Sequence, residues 1–156
     1  MTEVDARRSG PRSPGERKRQ ALERLARDID VWVATADADG EPCLVPLTFC
    51  WDGEAVWLAT RRTNPTGRNL SASGRVRLSF GHTRDVVLVH GTARAVPREE
   101  LPDGVGDAFA AKDGWDPRRD HPAYLFYRVV PQLLQAWGTV AEMPGRTLLR
   151  DGKWLL

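Results

Sequence analysis

Hydrophobic and polar positions along this chain change early from a helical period to one that is mostly that of strands. Ser13-Pro14-Gly15-Glu16 has the form of a capping box with proline at the first helical position. Leu22, Leu25 and Ile29 follow at spacings of three and four, which predicts an amphipathic helix ending near Asp28. From there the period is that of strands. Val31–Ala36 is the first, closed by Asp37-Ala38-Asp39-Gly40, and Pro42–Trp51 the second, closed by the hairpin pair Asp52-Gly53. Ala55–Arg61 is the third. Arg75–Gly81 sets Val76, Leu78 and Phe80 against Arg75, Arg77 and Ser79, so one face is buried, and Val86–Val96 is a long fifth strand. Arg98–Lys112 has helical composition but is interrupted by Pro102 and two glycines. Ala123–Val130 and Gln132–Val140 read as two further strands, and Thr147–Arg150 and Lys153–Leu156 flank a last Asp-Gly turn. Many short strands with hairpin turns predict an antiparallel barrel or sandwich, with two helices over its open ends or edges.

One segment interrupts the strands with different chemistry. Trp57–Leu70, WLATRRTNPTGRNL, runs from a strand through an arginine-flanked turn into a helix over about Pro65–Ser73. Asn64 is placed to cap that helix and Pro65 suits its first position. Thr66 and Gly67 then offer free backbone N–H groups, Gly67 lets a ligand come close, and Arg61, Arg62 and Arg68 add positive charge. This is the chemistry of an anion site, phosphate above all. The same residues also suit an ordinary capped surface helix with solvated arginines.

Composition narrows the classes. The chain has 156 residues, a single-domain length, and a net charge of +2, too small to draw it to nucleic acid or a membrane surface. Its cations are 20 Arg and 3 Lys, a bias that suits bidentate anion binding and also follows from genome base composition. Residues 1–14 read as a flexible arm and 15–156 as the folded domain. With no hydrophobic leader and no apolar run of spanning length, the expectation is a cytoplasmic protein. Cys43 and Cys50 stand an odd seven positions apart on one strand, so they face opposite ways and read as buried free thiols.

The usual catalytic signatures are missing. His82, His90 and His121 are far apart and lack metal-ligand spacing, so no metal site is expected. There is no nucleophile elbow, zinc-protease helix or Walker loop, and Gly104-Val105-Gly106 has Phe109 where a dinucleotide loop needs its third glycine. No catalytic residue can be nominated. An anion site on a small barrel without an evident acid, base or nucleophile points to a cofactor that carries the chemistry.

From Asp30 to Trp154 the chain resembles the split-barrel flavoproteins related to pyridoxamine 5′-phosphate oxidase, and the small actinobacterial flavin and deazaflavin members in particular. The resemblance rests on DVWVATADADGEPCLVPLTF, AVWLATRRTNPTGRNLSASGRVRLSF, DVVLVHGTARAV and PQLLQAWG, in that order. It implies a six-stranded antiparallel split β-barrel with a few short helices, forming a homodimer with the cofactor, FMN or coenzyme F-420, in a groove between subunits. It assigns Thr60, Arg61, Thr66, Arg68 and Asn69 to the phosphate end. Pro46, Leu47 and Thr48 would run beside the isoalloxazine ring, and Trp137 would reach the flavin from the partner chain, besides serving as a packing aromatic. Two positions depart from the family pattern. Thr66 stands where many relatives have a phosphate-binding lysine. Arg146-Thr147-Leu148 has leucine where the authentic oxidase has the histidine of its substrate-gripping R-x-H element, which argues against pyridoxamine phosphate oxidation.

The resulting expectation is an oxidoreductase passing hydride between a flavin-type coenzyme and a small conjugated molecule, such as an enone or quinone-like compound. The rival is a flavin- or haem-binding barrel without turnover, with His82, His90 or His121 as haem ligand. Nucleic-acid binding ranks last, because acidic residues interleave the arginines.

Overall fold

The computed structural model describes residues 10–119 and 124–156. Helix α1 spans Pro14–Arg27: the Ser13 hydroxyl accepts the Glu16 N–H at 3.1 Å, proline opens the first turn, and the chain becomes extended at Asp28. Its buried face is Arg17, Ala21 and Leu25. The apolar stripe expected to continue to Ile29 stops at Leu25, because Ile29 lies past the helix end and is exposed. Of the arm expected over residues 1–14, residues 1–9 lie outside the described residues. Arg12 is held by Glu142, and Ser13 and Pro14 belong to the helix start.

The strands are β1 (Asp30–Ala36), β2 (Pro42–Trp51), β3 (Val56–Arg61), β4 (Arg75–His82), β5 (Asp85–Val96), β6 (Tyr124–Trp137), β7 (Thr147–Arg150) and β8 (Lys153–Trp154). Helix α2 (Pro65–Ala72) follows β3, and α3 (Asp103–Asp113) follows β5 after a 3-10 turn at Arg98–Glu100. Strands pair antiparallel in the order β3-β2-β1-β4-β5-β6, and β6 pairs back onto β3 to close a six-stranded barrel. The β7–β8 hairpin continues the sheet from β6. The fold is therefore the mainly β, six-stranded antiparallel barrel that the resemblance implies, with three short helices and eight strands among the described residues.

Alternation fills the barrel. Val76, Leu78 and Phe80 of β4 point inward with Val33, Phe49, Leu58, Val89, Tyr127 and Leu134, and Phe49 meets Phe80 edge-on at 4.9 Å. Strand β3 is buried on both faces. Its outer side chains, Trp57 and Ala59, join Cys50 and Phe126 beneath Val105 and Phe109 of α3. This second core explains why α3 forms despite poor local propensity, and Pro102 precedes the helix instead of breaking it. Lys112 anchors the end of α3 by donating to the Phe49 carbonyl at 2.9 Å. Neither cysteine forms a disulfide; Cys50 is buried and Cys43 only half-buried.

The strands expected over 123–130 and 132–140 are one strand, β6, which ends at Trp137 (Ala123 lies outside the described residues). Pro131 sits within it, opposite Gly91, where the β5–β6 register shifts. A bulge is one of the few places where a sheet accommodates proline.

Candidate functional site

The junction between β3 and α2 is built from short, specific contacts. Asn64 occupies the N-cap position with extended backbone, but its side chain turns back and donates to the Thr60 hydroxyl at 3.2 Å. No side chain caps the first turn of α2, which corrects the expectation that Asn64 would. Helix α2 is instead fixed from three strands. The Tyr127 hydroxyl, reaching out of the barrel core, donates to the Gly67 carbonyl at 3.1 Å and meets the Ser71 hydroxyl at 3.0 Å. The Asn69 amide donates to the buried Thr35 hydroxyl at 3.1 Å, and Cys43 Sγ lies 3.4 Å from Thr66 Oγ1. Gly67 does not open the backbone to a ligand, as the sequence suggested. A Cβ there would lie 2.3 Å from the Arg61 carbonyl oxygen, so glycine is what lets the helix pack on the end of β3.

The sequence-predicted residues divide accordingly. Thr60, Arg61, Thr66, Arg68 and Asn69 all lie at this junction. Thr60, Thr66 and Asn69 are buried, their side chains bonded within the chain. Arg61 and Arg68 are exposed, as is Arg62. The Arg68 guanidinium donates to the Thr63 carbonyl at 3.0 Å, and that of Arg61 lies 5.7 Å from the Tyr124 ring centroid. Three exposed arginines thus flank a helix start whose first turn has no side-chain cap, an arrangement whose charge and helix dipole favour anions.

Pro46, Leu47 and Thr48 lie on β2. Pro46 is exposed opposite Trp32, Leu47 packs partly against the core, and the Thr48 hydroxyl donates to the Asp30 carboxylate at 3.2 Å. Trp137 stands half-buried at the far end of β6, opposite Val86. Thr60 pairs with Leu125, and Trp137 lies twelve positions further along the same strand (137 less 125). That is about 40 Å of extended chain. Within one chain, Trp137 and the rung at the junction therefore lie towards opposite ends of β6.

Beside the junction runs a groove of about 1100 Å³ that sequence reasoning missed. Arg68, Arg75, Arg77 and Arg150 line it, against the carboxylates of Asp37 and Asp151. The alternation in β4 did place Arg75 and Arg77 on its outward face. Nothing local showed that α2 and the β7–β8 hairpin would rise on either side of that face. His90 also lines the groove, with Arg77 as its cross-strand partner. Burial, and then the charge of Arg77, holds its imidazole below the usual value, so it favours the neutral form. His82 is exposed beside a separate surface groove, and His121 lies outside the described residues.

Residues 18–138 match the sequence model of the pyridoxamine 5′-phosphate oxidase family, and the chain belongs to that family. Among solved structures it is similar to an F420 reductase, at 22% identity over 72% of this chain and 93% of that one, with a TM-score of 0.58. It is similar to HutZ of Vibrio cholerae, described as a haem storage protein, at 18% identity over 75% and 88%, TM-score 0.60. It is also similar to a haem-binding protein of Mycobacterium smegmatis, at 19% identity over 92% and 60%, TM-score 0.64. At these identities the likeness concerns the fold. No curated protein matches the sequence.

Proposed function

We propose that this protein is an oxidoreductase that holds a flavin-type coenzyme, F-420 or FMN, at the β3–α2 junction and transfers hydride to or from a small conjugated substrate. The observation that carries the reading is the continuity between the uncapped, arginine-flanked start of α2 and the arginine-lined groove beside it, through Arg68. Arg61, Arg68 and the first-turn N–H groups hold the anionic end, and the backbone of Pro46–Thr48 runs beside the ring. When bound, the coenzyme supplies the hydride chemistry, while the chain binds and orients it. FMN ends at its phosphate, whereas F-420 continues into a carboxylate-bearing tail, and the further arginines at 75, 77 and 150 favour the longer anion.

A second copy completes the site in this reading. Trp32 and Leu44 are 48% and 62% exposed on adjacent strands, beside exposed Pro46, an apolar outer face suited to a homodimer. The partner copy then supplies the tryptophan that a single chain places towards the other end of β6. True pyridoxamine phosphate oxidation is disfavoured, because Leu148 is fully buried in the core and Arg146 is tied to the Met143 carbonyl at 2.8 Å.

One observation favours a second reading, a haem-binding protein without turnover. His90, held neutral, lines the large groove, and a neutral imidazole is what haem iron ligates. Titration of the purified protein with FMN, F-420 and haemin, followed by absorbance and fluorescence, separates the two. Saturable binding of F-420 or FMN that weakens in Arg68→Ala and fades with salt supports the first. A haemin complex lost in His90→Ala, with neither coenzyme bound, replaces it with the second.

A further inference from the structure

Two buried charged residues hold the peptide groups on either side of Trp137. Arg17 of α1 is 3% exposed, and its Nη1 donates to the carbonyls of Ala136 and Gly145, each at 2.9 Å. Glu142, 4% exposed, accepts the Gly138 N–H at 2.7 Å. Glu142 is itself gripped by Arg12, which gives it its backbone N–H at 2.7 Å, Nε at 3.0 Å and Nη2 at 2.9 Å. Arg12 also pairs with Asp85 at 3.1 Å, and Asp85 pairs with Arg24 of α1 at 2.9 Å. The Arg24 guanidinium occupies the space a side chain at Gly81 would take, and Gly81 has φ +74°, so β4 is shaped to admit it.

Burying charged groups costs stability unless their bonds are all made, and the Arg17 Nε has no hydrogen-bond partner among the described residues. An apolar side chain of similar bulk would pack α1 without that cost. What the charged groups add is direction: they fix the carbonyl before Trp137 and the N–H after it.

We propose that Arg12, Arg17 and Glu142 are positioning residues for Trp137, so that the chain's N-terminal segment sets the wall of the coenzyme groove on the partner copy. This rests on the reading of Trp137 as a coenzyme contact across the dimer. Held peptides on both sides fix the direction in which the Trp137 side chain leaves the backbone, and the N-terminal segment acts on the coenzyme without touching it.

The test uses the full chain labelled with 5-fluorotryptophan, with Trp137→Phe assigning the Trp137 fluorine resonance among the six tryptophans. In Glu142→Gln that resonance should move or broaden while the others stay, and Arg12→Lys, which keeps the charge, should show a smaller change. F-420 affinity should fall about three- to tenfold in Glu142→Gln, the worth of one aromatic contact. The same substitution should change nothing further on the Trp137→Phe background. An unmoved Trp137 resonance in both variants, or an affinity loss that persists on that background, overturns the proposal. Unchanged affinity in Trp137→Phe alone overturns the contact reading instead, and the fluorine spectra still decide whether the clamp positions the ring.

Discussion

Replacing Gly67 with alanine tests the junction with an effect of unusual sign. On an open helix surface Gly→Ala stabilises by about 1 kcal/mol, through helix propensity. Here the new Cβ would sit 2.3 Å from the Arg61 carbonyl oxygen, where real contacts do not fall below 3.0 Å, so backbone must yield by roughly 0.7 Å, the difference. Neither side yields easily. The Arg61 carbonyl accepts the Asn64 N–H at 3.1 Å, and the Gly67 carbonyl accepts from Tyr127 at 3.1 Å. Overpacking costs about 1–3 kcal/mol and one weakened hydrogen bond about 1 kcal/mol more. Against the propensity gain, the net destabilisation is about 2 kcal/mol. With a urea slope of about 2 kcal/mol/M, the midpoint should fall by about 1 M, read from tryptophan fluorescence. The melting temperature should fall by about 4–8 °C. Coenzyme affinity should weaken too, since the strain displaces Arg61 and the first turn of α2. A Gly67→Ala protein as stable as the wild type would refute the close approach of α2 to β3.

Tyr127→Phe removes the hydroxyl that holds both Gly67 and Ser71, and should lower stability by about 1–2 kcal/mol in the same urea assay; an unchanged midpoint would count against it as the tie to α2. Hydrogen bonds from Arg12 push the Glu142 carboxyl down from 4.5 to about 2. A depressed carboxylate stabilises the fold above its unfolded value and loses that contribution as pH falls from about 4.5 towards 2, up to about 3 kcal/mol in all. Urea melts between pH 6 and pH 2 should therefore show wild type and Glu142→Gln converging as the pH drops, and a constant gap would contradict this. His90 is held low by burial first and then by Arg77, so Arg77→Gln should raise its imidazole pKa in a proton NMR titration, and no movement would exclude Arg77 as a cause.

How much of this was legible depended on whether the cause was local. The Asp52-Gly53 turn announces itself because Asp52 serves its own neighbours, accepting from the Glu54 and Ala55 N–H groups at 2.8 and 2.7 Å and from the Trp57 indole at 2.8 Å. The capping box at Ser13 and the alternation of β4 are local in the same sense. Strand β6 reads as two in the sequence because Pro131 separates its halves, and the bulge that accommodates it lies opposite Gly91 of a different strand. Helix α3 was obscured because its support comes from the outer faces of β3 and β6.

The candidate site divides along the same line. A basic helix start after β3 was readable from Pro65 and the arginines around it. That Thr66 and Asn69 turn inward was not, since their partners Cys43 and Thr35 lie on other strands. Arg17 and Glu142 carry no local mark of burial either. In sequence they are two charged residues among many, and only the packing of α1 against the end of β6 encloses them.

The central claim is that the junction of one copy and Trp137 of another form one coenzyme site, and mixing two damaged proteins tests it most directly. Arg61→Ala/Arg68→Ala removes the anion grip and Trp137→Ala removes the aromatic wall, so each homodimer alone should bind F-420 poorly. Unfolded together and refolded, they should form mixed dimers in which one of the two sites carries both lesions and the other none. A population of wild-type-affinity sites should reappear in the mixture. A mixture that binds no better than its separate components, although mixed dimers have formed, would contradict it.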